Sequence, residues 1–241
     1  FVSIPYFTEE SVAKEQGIIG QEIRMTEDDP SFVLYTATMG ALFDHHPVRE
    51  SVAGTVESIA SITPQTLYDC HRAFYVPANM ALCVVGDVDP EYVAETAARL
   101  TAPERLSAAA PDYGEREGLE PITRRAERGM DVSDPMFIAA AKLSTDLGRG
   151  DEALRLATVG SLAARCLLGA GSGFYTSLYA EGLLRGDFFR DVSPLAGTLL
   201  FECGGTTSQP EQVFDRLCAA LGEAAEKGID PDALERARRA E

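Results

Sequence analysis

The sequence contains no tryptophan and only three histidines, His45, His46 and His71, among 241 residues. A zinc site made purely of histidine and cysteine therefore has few candidate ligands. No Cys-x-x-Cys pair occurs, and no stretch approaches the roughly 18 uninterrupted apolar residues that a membrane-spanning helix requires. What is there is an ordinary globular composition, 45% hydrophobic and 24% charged, which excludes disordered and collagen-like chains.

Basic residues are scarce as well. The sequence has 21 lysines and arginines and 38 aspartates and glutamates, so the net charge is −17. A surface of this charge repels phosphate groups. We therefore expect neither nucleic acid nor an anionic membrane as a partner. The acidity favours solubility and identifies no partner by itself.

The five cysteines are an odd number, and most of them stand in apolar or helical stretches. They are Cys70, Cys83, Cys166, Cys203 and Cys218. This pattern is typical of buried free thiols, which persist in a reducing compartment. It predicts buried thiols and a cytoplasmic location.

Both ends of the sequence resemble internal positions of a longer protein. Phe1-Val2-Ser3 is not an initiator or signal sequence, and residues 231–241 form a helical pattern that lacks a cap. Residues 103–121 scatter proline, glycine and alanine among charges, as exposed linkers do. We therefore predict part of one domain over 1–102, a linker over 103–121, and a second domain over 122–241 that is truncated at its C-terminus.

Helix and strand patterns follow each other without regular β-α alternation, which predicts an α+β fold. Capping residues and amphipathic periods predict helices over 9–27, 32–43, 64–74, 90–100, 151–168, 174–183 and 210–227. Apolar or alternating runs between turn residues predict strands over 80–85, 122–132, 136–143 and 198–203. The run 80–85 is apolar throughout and predicts a buried strand.

The first predicted helix carries two glutamates, Glu15 and Glu22, within its apolar side. They are seven residues apart and nearly superimposed in projection along the helix. Apolar rows flank them, formed by Val12, Ile19 and Ile23 and by Ile18 and Met25. Because a buried carboxylate is costly, each glutamate would need a cation, a metal ion or hydrogen-bond donors. A separation of about 10 Å along the axis suits two roles at one ion but not a shared proton.

A simpler interpretation of the two glutamates stays open. Glutamates on helices are more often solvated or paired with lysine or arginine, and structural ion pairs imitate functional sites. Gly17 and Gly20 lie between the glutamates, and each glycine costs about 1 kcal/mol relative to alanine inside a helix. Two such glycines predict that the helix packs closely against another backbone.

The segment Glu15–Ile23 resembles the sequence that follows the zinc-binding helix in the insulinase/pitrilysin family of zinc peptidases. The resemblance continues in order and spacing over most of residues 8–100. It includes His46-Pro47, Gly54–Ile59, Ile62-Thr63, Tyr75–Met80 and Val84–Val88. In that family an inverted H-x-x-E-H motif supplies two histidine ligands and a general base, and a glutamate on a later helix supplies the third ligand. The resemblance implies that Glu22 is this zinc ligand and that Glu15 is the carboxylate supporting it.

The histidine motif of the family is absent, since none of the three histidines stands in an H-x-x-E-H pattern. In the family this motif precedes the helix that matches here. Either the sequence begins after the motif, or the parent protein is one of the family's non-catalytic members. One glutamate does not make a zinc site, because catalytic zinc has three protein ligands. We therefore expect no bound zinc and no peptide cleavage from this chain alone.

The second half resembles the family's second domain more loosely, through the glycine-rich segment Gly171–Leu178. Active relatives often follow it with an arginine and then a tyrosine that bind substrate. Here Tyr179 and Arg185 stand in the exchanged order, so the role is not carried over. The resemblance implies two homologous domains, each an antiparallel sheet flanked by helices, which enclose a chamber for a peptide substrate.

Three functional hypotheses follow. The first is a part of a zinc-dependent peptidase whose parent protein hydrolyses peptides with zinc-activated water. The second is a non-catalytic structural or substrate-holding subunit that forms a homo- or heterodimer with a related subunit. The third is an unrelated acidic binding domain in which Glu15 and Glu22 are paired with arginine or lysine.

Overall fold

A computed structural model describes residues 2, 4–100, 107, 109, 110, 112, 114–148 and 150–239. Several residues of the predicted linker, together with Phe1, Ser3 and the last two residues of the C-terminal helical pattern, lie outside this description. The chain divides into two compact units. Unit 1 comprises Phe1–Met25 and Ala53–Asp112, and unit 2 comprises Thr26–Val52 and Tyr113–Glu241.

The described residues form nine α-helices and three strands. The helices are α1 (Glu9–Glu27), α2 (Pro30–Leu42), α3 (Val56–Ala60), α4 (Pro64–Phe74), α5 (Pro90–Leu100), α6 (Asp151–Leu168), α7 (Gly173–Ala180), α8 (Pro210–Lys227) and α9 (Pro231–Arg239). The strands are β1 (Met136–Ser144), β2 (Arg185–Leu195) and β3 (Thr198–Thr206). This architecture confirms the predicted α+β class with an antiparallel sheet flanked by helices.

The sheet belongs to unit 2 and has the order β1-β3-β2, with both pairs antiparallel. A two-residue turn joins β2 to β3, and its residues Ala196 and Gly197 both have positive φ, 54° and 74°. Two positive φ angles match the right-handed twist of the flanking strands. Near the end of β3, a Cβ at Gly204 would collide with the carbonyl oxygen of Phe137. Glycine there lets the central strand lie close to β1.

Two apolar clusters cover the two faces of the sheet, because successive side chains of a strand point to opposite faces. The larger cluster takes Phe201 and Cys203 of β3 and packs them against helices α6 to α8. The smaller cluster takes Leu200 and packs it against Met39 and Leu42 of α2. Unit 2 is therefore a sheet with helices on both sides.

Two predicted strands are wrong. The runs 80–85 and 122–132 form neither helix nor strand, and neither run pairs with any of the three described strands. In the second run the charged side chains form surface ion pairs instead, such as Arg125 with Glu211 at 2.6 Å. Strand β2 was missed, because its charged residues and Pro194 interrupt the apolar alternation, and pairing with β3 forms it regardless.

The prediction of buried thiols is wrong for most of the cysteines. Cys70, Cys83 and Cys218 are exposed, Cys166 is half-buried and only Cys203 is buried. Burial raises the pKa of the Cys203 thiol to about 12, so this residue acts as a small apolar side chain in the core. A local apolar neighbourhood in sequence does not ensure burial, because burial also requires packing from elsewhere.

A buried ion pair connects three separate segments of unit 2. The Lys142 ammonium on β1 lies 3.4 Å from the Glu117 carboxylate, and their side chains are only 1% and 4% exposed. Lys142 also donates to the carbonyl oxygen of Leu42 at 2.6 Å and lies 5.2 Å from the centre of the Phe43 ring. Glu117 stands in the predicted linker, yet it is among the most enclosed carboxylates of the described residues.

The Glu117 carboxylate accepts hydrogen bonds from three consecutive backbone N–H groups, those of Asp44, His45 and His46, at 2.7–3.1 Å. Burial alone would raise the pKa of Glu117, but these three donors and the Lys142 ammonium outweigh it and lower the pKa to about 2. The pair therefore stays ionised and holds the loop after α2 against β1.

The segment Asp151–Ala180, which contains α6 and α7, is long and apolar enough to cross a membrane by length and composition alone, with a mean hydropathy of 1.3. The inner side of α6 contributes Ala164 and Leu168 to the larger core cluster. Length and composition alone do not distinguish a membrane span from an apolar helix of a protein outside membranes.

Replacing Lys142 by methionine is expected to lower the free energy of unfolding by about 3–5 kcal/mol, because it leaves a buried carboxylate without its cation. Urea denaturation at pH 7 measures this change. Lys227→Met is the matched control, because its ammonium pairs with Glu223 on the exposed surface, and it should leave the stability nearly unchanged. A Lys142→Met protein as stable as the control would contradict the assigned role.

The same pair predicts a pH dependence. Because the folded-state pKa of Glu117 is lowered from 4.5 to about 2, its contribution is complete above pH 4.5 and is lost as the pH falls towards 2. The stability difference between the wild type and Glu117→Gln should therefore shrink over this range. A difference independent of pH from 5 to 2 would show that ionised Glu117 is not responsible.

Candidate functional site

Helix α1 carries the two glutamates, and its N-terminus is fixed within unit 1. The Thr8 and Ser11 hydroxyls each accept a hydrogen bond from the other residue's backbone N–H, a reciprocal cap that starts the helix. Before it, the backbone N–H and carbonyl of Phe7 both bond to the Tyr68 hydroxyl on α4, at 2.9 and 3.1 Å. The Phe7 and Tyr68 rings meet edge to face at 5.1 Å.

Gln16 holds the middle of α1. Its side-chain amide donates to the carbonyl oxygens of Ile59 at 3.2 Å and Ile62 at 2.8 Å, where α3 ends. The Ile59 carbonyl also accepts from the Ile62 N–H at 3.1 Å, whereas the Gln16 amide is the donor recorded for the Ile62 carbonyl among the described residues, so the amide satisfies a group that would otherwise need water. Sequence reasoning missed Gln16, because its spacing along α1 gives no sign of partners more than 40 residues away.

Both predicted site glutamates are exposed. Among the residues that the structure describes, α1 buries Val12, Gly20 and Ile23 but leaves Glu15 and Glu22 on its surface. The expectation that these carboxylates lie in a packed face is therefore wrong for this chain. The close packing predicted from Gly17 and Gly20 is also wrong, since a Cβ at either position would meet nothing within 4 Å in the described part of the chain.

The exposed side of α1 is a mixed stripe, which we call the α1 stripe: Glu15, Ile18, Glu22 and Met25. These residues follow each other at intervals of three and four, so they share one side of the helix. Ile18 and Met25 are 49% and 67% exposed. No described lysine, arginine or histidine lies within ion-pair distance of Glu15 or Glu22. The spacing argument correctly placed the two carboxylates together, but their burial depended on packing that the described residues do not supply.

The described residues do not by themselves fit a zinc ion. A catalytic zinc site has three protein ligands, and no group of three histidine, cysteine, aspartate or glutamate side chains with suitable geometry occurs in that part of the chain. We therefore derive no chemical step through zinc from this chain.

The three histidines have structural contacts. His45 lies 3.6 Å from Asp44 and 3.9 Å from Glu115. The His46 ring accepts a hydrogen bond from the Val48 N–H and caps a short 3₁₀ turn. His71 contacts the Val2 carbonyl oxygen at 2.8 Å and stacks on Tyr75.

In unit 2 Ser172 lies within the glycine-rich segment, and its hydroxyl accepts from the Tyr175 N–H and caps α7. Tyr179 is exposed and stacks on Tyr175, with ring centres 6.1 Å apart. Arg185 pairs with Asp134 at 2.9 Å and borders a shallow cavity of about 570 Å³. The structure thus gives Tyr179 and Arg185 separate local partners, and the glycines serve as a helix boundary.

Comparison with known proteins decides the family. Residues 61–241 match the family described as the peptidase M16 inactive domain. The protein named uncharacterized zinc protease YmfH of Bacillus subtilis (strain 168) is 35% identical over 243 residues, which cover 99% of this chain and 56% of that protein. The chain belongs to the M16 peptidase family. This confirms the resemblance to the insulinase/pitrilysin peptidases and removes the hypothesis of an unrelated acidic domain.

Solved structures agree with this assignment. The putative M16-like peptidase from Alicyclobacillus acidocaldarius superimposes with a TM-score of 0.87 at 31% identity, over 99% of this chain and 57% of that one. A chain of complex III₂ from Candida albicans shares the fold, with a TM-score of 0.71 at 13% identity over 94% of this chain. The chain spans little more than half the length of these M16 relatives.

Gln16→Ala should loosen α1, because removing the amide breaks its contacts with the segment after α3 and leaves the Ile62 carbonyl without its donor. A loss of about 1–2 kcal/mol is expected, which corresponds to a roughly 5–30-fold faster amide exchange in α1. Hydrogen exchange with mass spectrometry measures it. Gln21→Ala is the matched control on the exposed side of the same helix, and equal exchange rates in both variants would contradict the role assigned to the Gln16 hydrogen bonds.

Proposed function

We propose that this chain is a part of an M16 zinc peptidase, to which it contributes one zinc ligand, Glu22, and the non-catalytic domain. In this proposal Glu15, seven residues before Glu22 on the same side of α1, supports the metal site. The two histidine ligands and the general base come from polypeptide outside this sequence. The parent protein hydrolyses peptides, and its zinc-bound water is the nucleophile that this metal supplies.

The observation that carries the proposal is the α1 stripe. Its two carboxylates have no cationic partner among the described residues, and exposed Ile18 and Met25 lie beside them. An exposed helix side that alternates acidic and large apolar residues is suited to packing against another element while it offers carboxylates to an ion. The Gln16 and Tyr68 contacts fix α1, so the stripe is presented on a positioned helix.

The chain alone lacks the residues for catalysis. One carboxylate binds zinc weakly, since the ion also requires further ligands and a position for water. We therefore propose that activity belongs to the longer protein, which agrees with the match of residues 61–241 to the inactive domain.

Zinc binding in a protein that joins this chain to an H-x-x-E-H segment tests the proposal. Glu15→Gln should lower zinc affinity about 10–100-fold, as loss of a group that orients a ligand does, and Glu22→Gln should lower it further. Competition with a chelator measures both values. Glu10→Gln, in the first turn of the same helix, is the control and should bind zinc as the wild type does.

Two outcomes would contradict this assignment. Stoichiometric, tightly bound zinc in the 241-residue chain alone would show that other residues hold the ion. Equal zinc affinity in Glu22→Gln and Glu10→Gln would remove Glu22 from the metal site.

A non-catalytic subunit that pairs with a related M16 subunit is the second candidate. Two observations favour it. Arg185, which follows the glycine-rich segment, forms an ion pair with Asp134, and the fold is shared with a chain of a multi-subunit complex III₂. This candidate predicts a longer protein that holds no zinc and elutes with a partner subunit. For either candidate we propose a cytoplasmic location, on the basis of five cysteines that form no disulfide in the described residues.

A further inference from the structure

A small cavity, which we call the α6–β2 cavity, lies in unit 2 between helix α6 and strand β2, at one edge of the described sheet. Its volume is about 210 Å³. The residues that line it are Ser161, Ala164, Arg165, Arg190, Asp191 and Val192. Two of these six residues are arginines, in a chain whose net charge is −17. The cavity therefore combines basic side chains on a protein that is otherwise acidic.

Close packing of α6 on β2 fixes the walls of this cavity. A Cβ at Gly160 would collide with the Val192 side chain, so the glycine lets the helix lie directly against the strand. The Ser161 hydroxyl donates to the Val192 carbonyl oxygen at 3.2 Å, and the Val192 side chain is buried in the larger core cluster. The two arginines therefore stand on elements that are held in place, Arg165 on α6 and Arg190 on β2.

The Arg190 guanidinium is half-buried and forms no hydrogen bond or ion pair with any residue that the structure describes. A guanidinium is always charged and carries five N–H donors, so partial burial without an acceptor is unfavourable. One of its Nη atoms lies 3.6 Å from the place that a Cβ of Gly169 would take, just after the end of α6. The negative end of a helix attracts a cation weakly and accounts for this position. It leaves the donors of Arg190 free for a ligand.

The neighbouring carboxylate of Asp191 does not neutralise Arg190. Successive side chains of a strand point to opposite faces of the sheet, and Val192 points towards α6. Asp191 therefore belongs to the other face, where it stands opposite Glu202 of β3. Burial, and after it the Asp191 charge, raises the pKa of Glu202, which agrees with the two carboxylates facing each other. The described charges on the α6 side of the cavity are those of the two arginines.

We propose that the α6–β2 cavity binds a small oxyanion, a carboxylate or a phosphate group, which accepts hydrogen bonds from the Arg190 guanidinium and is attracted by the charge of Arg165. A planar guanidinium donates two parallel hydrogen bonds to two oxygens of one group, a geometry that carboxylate and phosphate share. Sites for drug-sized ligands have about 300–1,000 Å³, so a cavity of about 210 Å³ takes one such group and not a whole cofactor. The inference requires neither zinc nor peptidase activity.

The negative net charge of the protein does not prevent this binding. At physiological ionic strength, salt screens exposed charges that are more than about 8 Å apart. The two arginines that line the cavity act at shorter range than most of the acidic surface. Local charges therefore decide whether an anion binds there, while the net charge still disfavours a large polyanion such as nucleic acid.

Titration calorimetry of the 241-residue chain at constant ionic strength tests the inference. The probes are inorganic phosphate, a short N-acetylated peptide with a free C-terminal carboxylate, and the same peptide with an amidated C-terminus. Phosphate or the free-acid peptide should bind saturably with one site per chain. Arg190→Gln should weaken this binding about 10–100-fold, because a hydrogen bond to a charged group is lost. Arg190→Lys keeps the charge but not the paired donors and should bind with intermediate affinity.

Arg155→Gln is the matched control, because it removes one positive charge from an exposed position of the same helix. It should bind the probes as the wild type does. Phosphate binding without peptide binding would identify phosphate as the ligand, and the reverse would identify a peptide carboxylate.

Three results would overturn the inference. The first is the absence of saturable binding of both phosphate and the free-acid peptide to the wild type, and this result does not depend on whether any variant folds. The second is equal affinity in Arg190→Gln and Arg155→Gln. The third is equal binding of the free-acid and amidated peptides without competition from phosphate, which would show that the oxyanion is not what the protein recognises.

Discussion

Apolar burial is divided unequally between the two units, and most of the molecule's properties follow from this constraint. Unit 2 buries side chains on both faces of a three-stranded sheet, and the Glu117–Lys142 pair adds a buried polar link between the loop after α2 and β1. The described residues of unit 1 are held by polar contacts such as those of Gln16 and Tyr68, and three of their apolar side chains are buried. Polar contacts orient helices but contribute little net stability, so few of the described interactions stabilise unit 1.

The same constraint explains the exposure of the α1 stripe. Within this chain α1 buries one side, and its other side retains two carboxylates and two large apolar residues. The M16 relative YmfH, which is named a zinc protease, is almost twice as long as this chain, and we propose that the α1 stripe meets the additional polypeptide at a metal site. A helix that is held by contacts on one side and presents carboxylates on the other is suited to completing a metal site with residues from elsewhere.

Features that depend on local rules could be predicted from the sequence. Features that depend on contacts with residues far away along the chain could not. Capping residues and periodicity located most of the helices, and spacing placed Glu15 and Glu22 on one side of α1. Spacing could not reveal whether that side is covered. β2 was missed because its charges and Pro194 hide the strand pattern that pairing with β3 enforces. Glu117 looked like a linker residue, since its donors lie more than 70 positions away in the loop after α2.

Calorimetric unfolding of the 241-residue chain tests the central claim most directly, that only unit 2 is a completed cooperative structure here. Unfolding enthalpy is about 0.7 kcal/mol per residue near 60 °C, so unit 2 alone corresponds to about 110 kcal/mol and the whole chain to about 170 kcal/mol. The account predicts one transition with the smaller enthalpy. A single transition with the larger enthalpy would show that unit 1 folds cooperatively without further polypeptide and would contradict it.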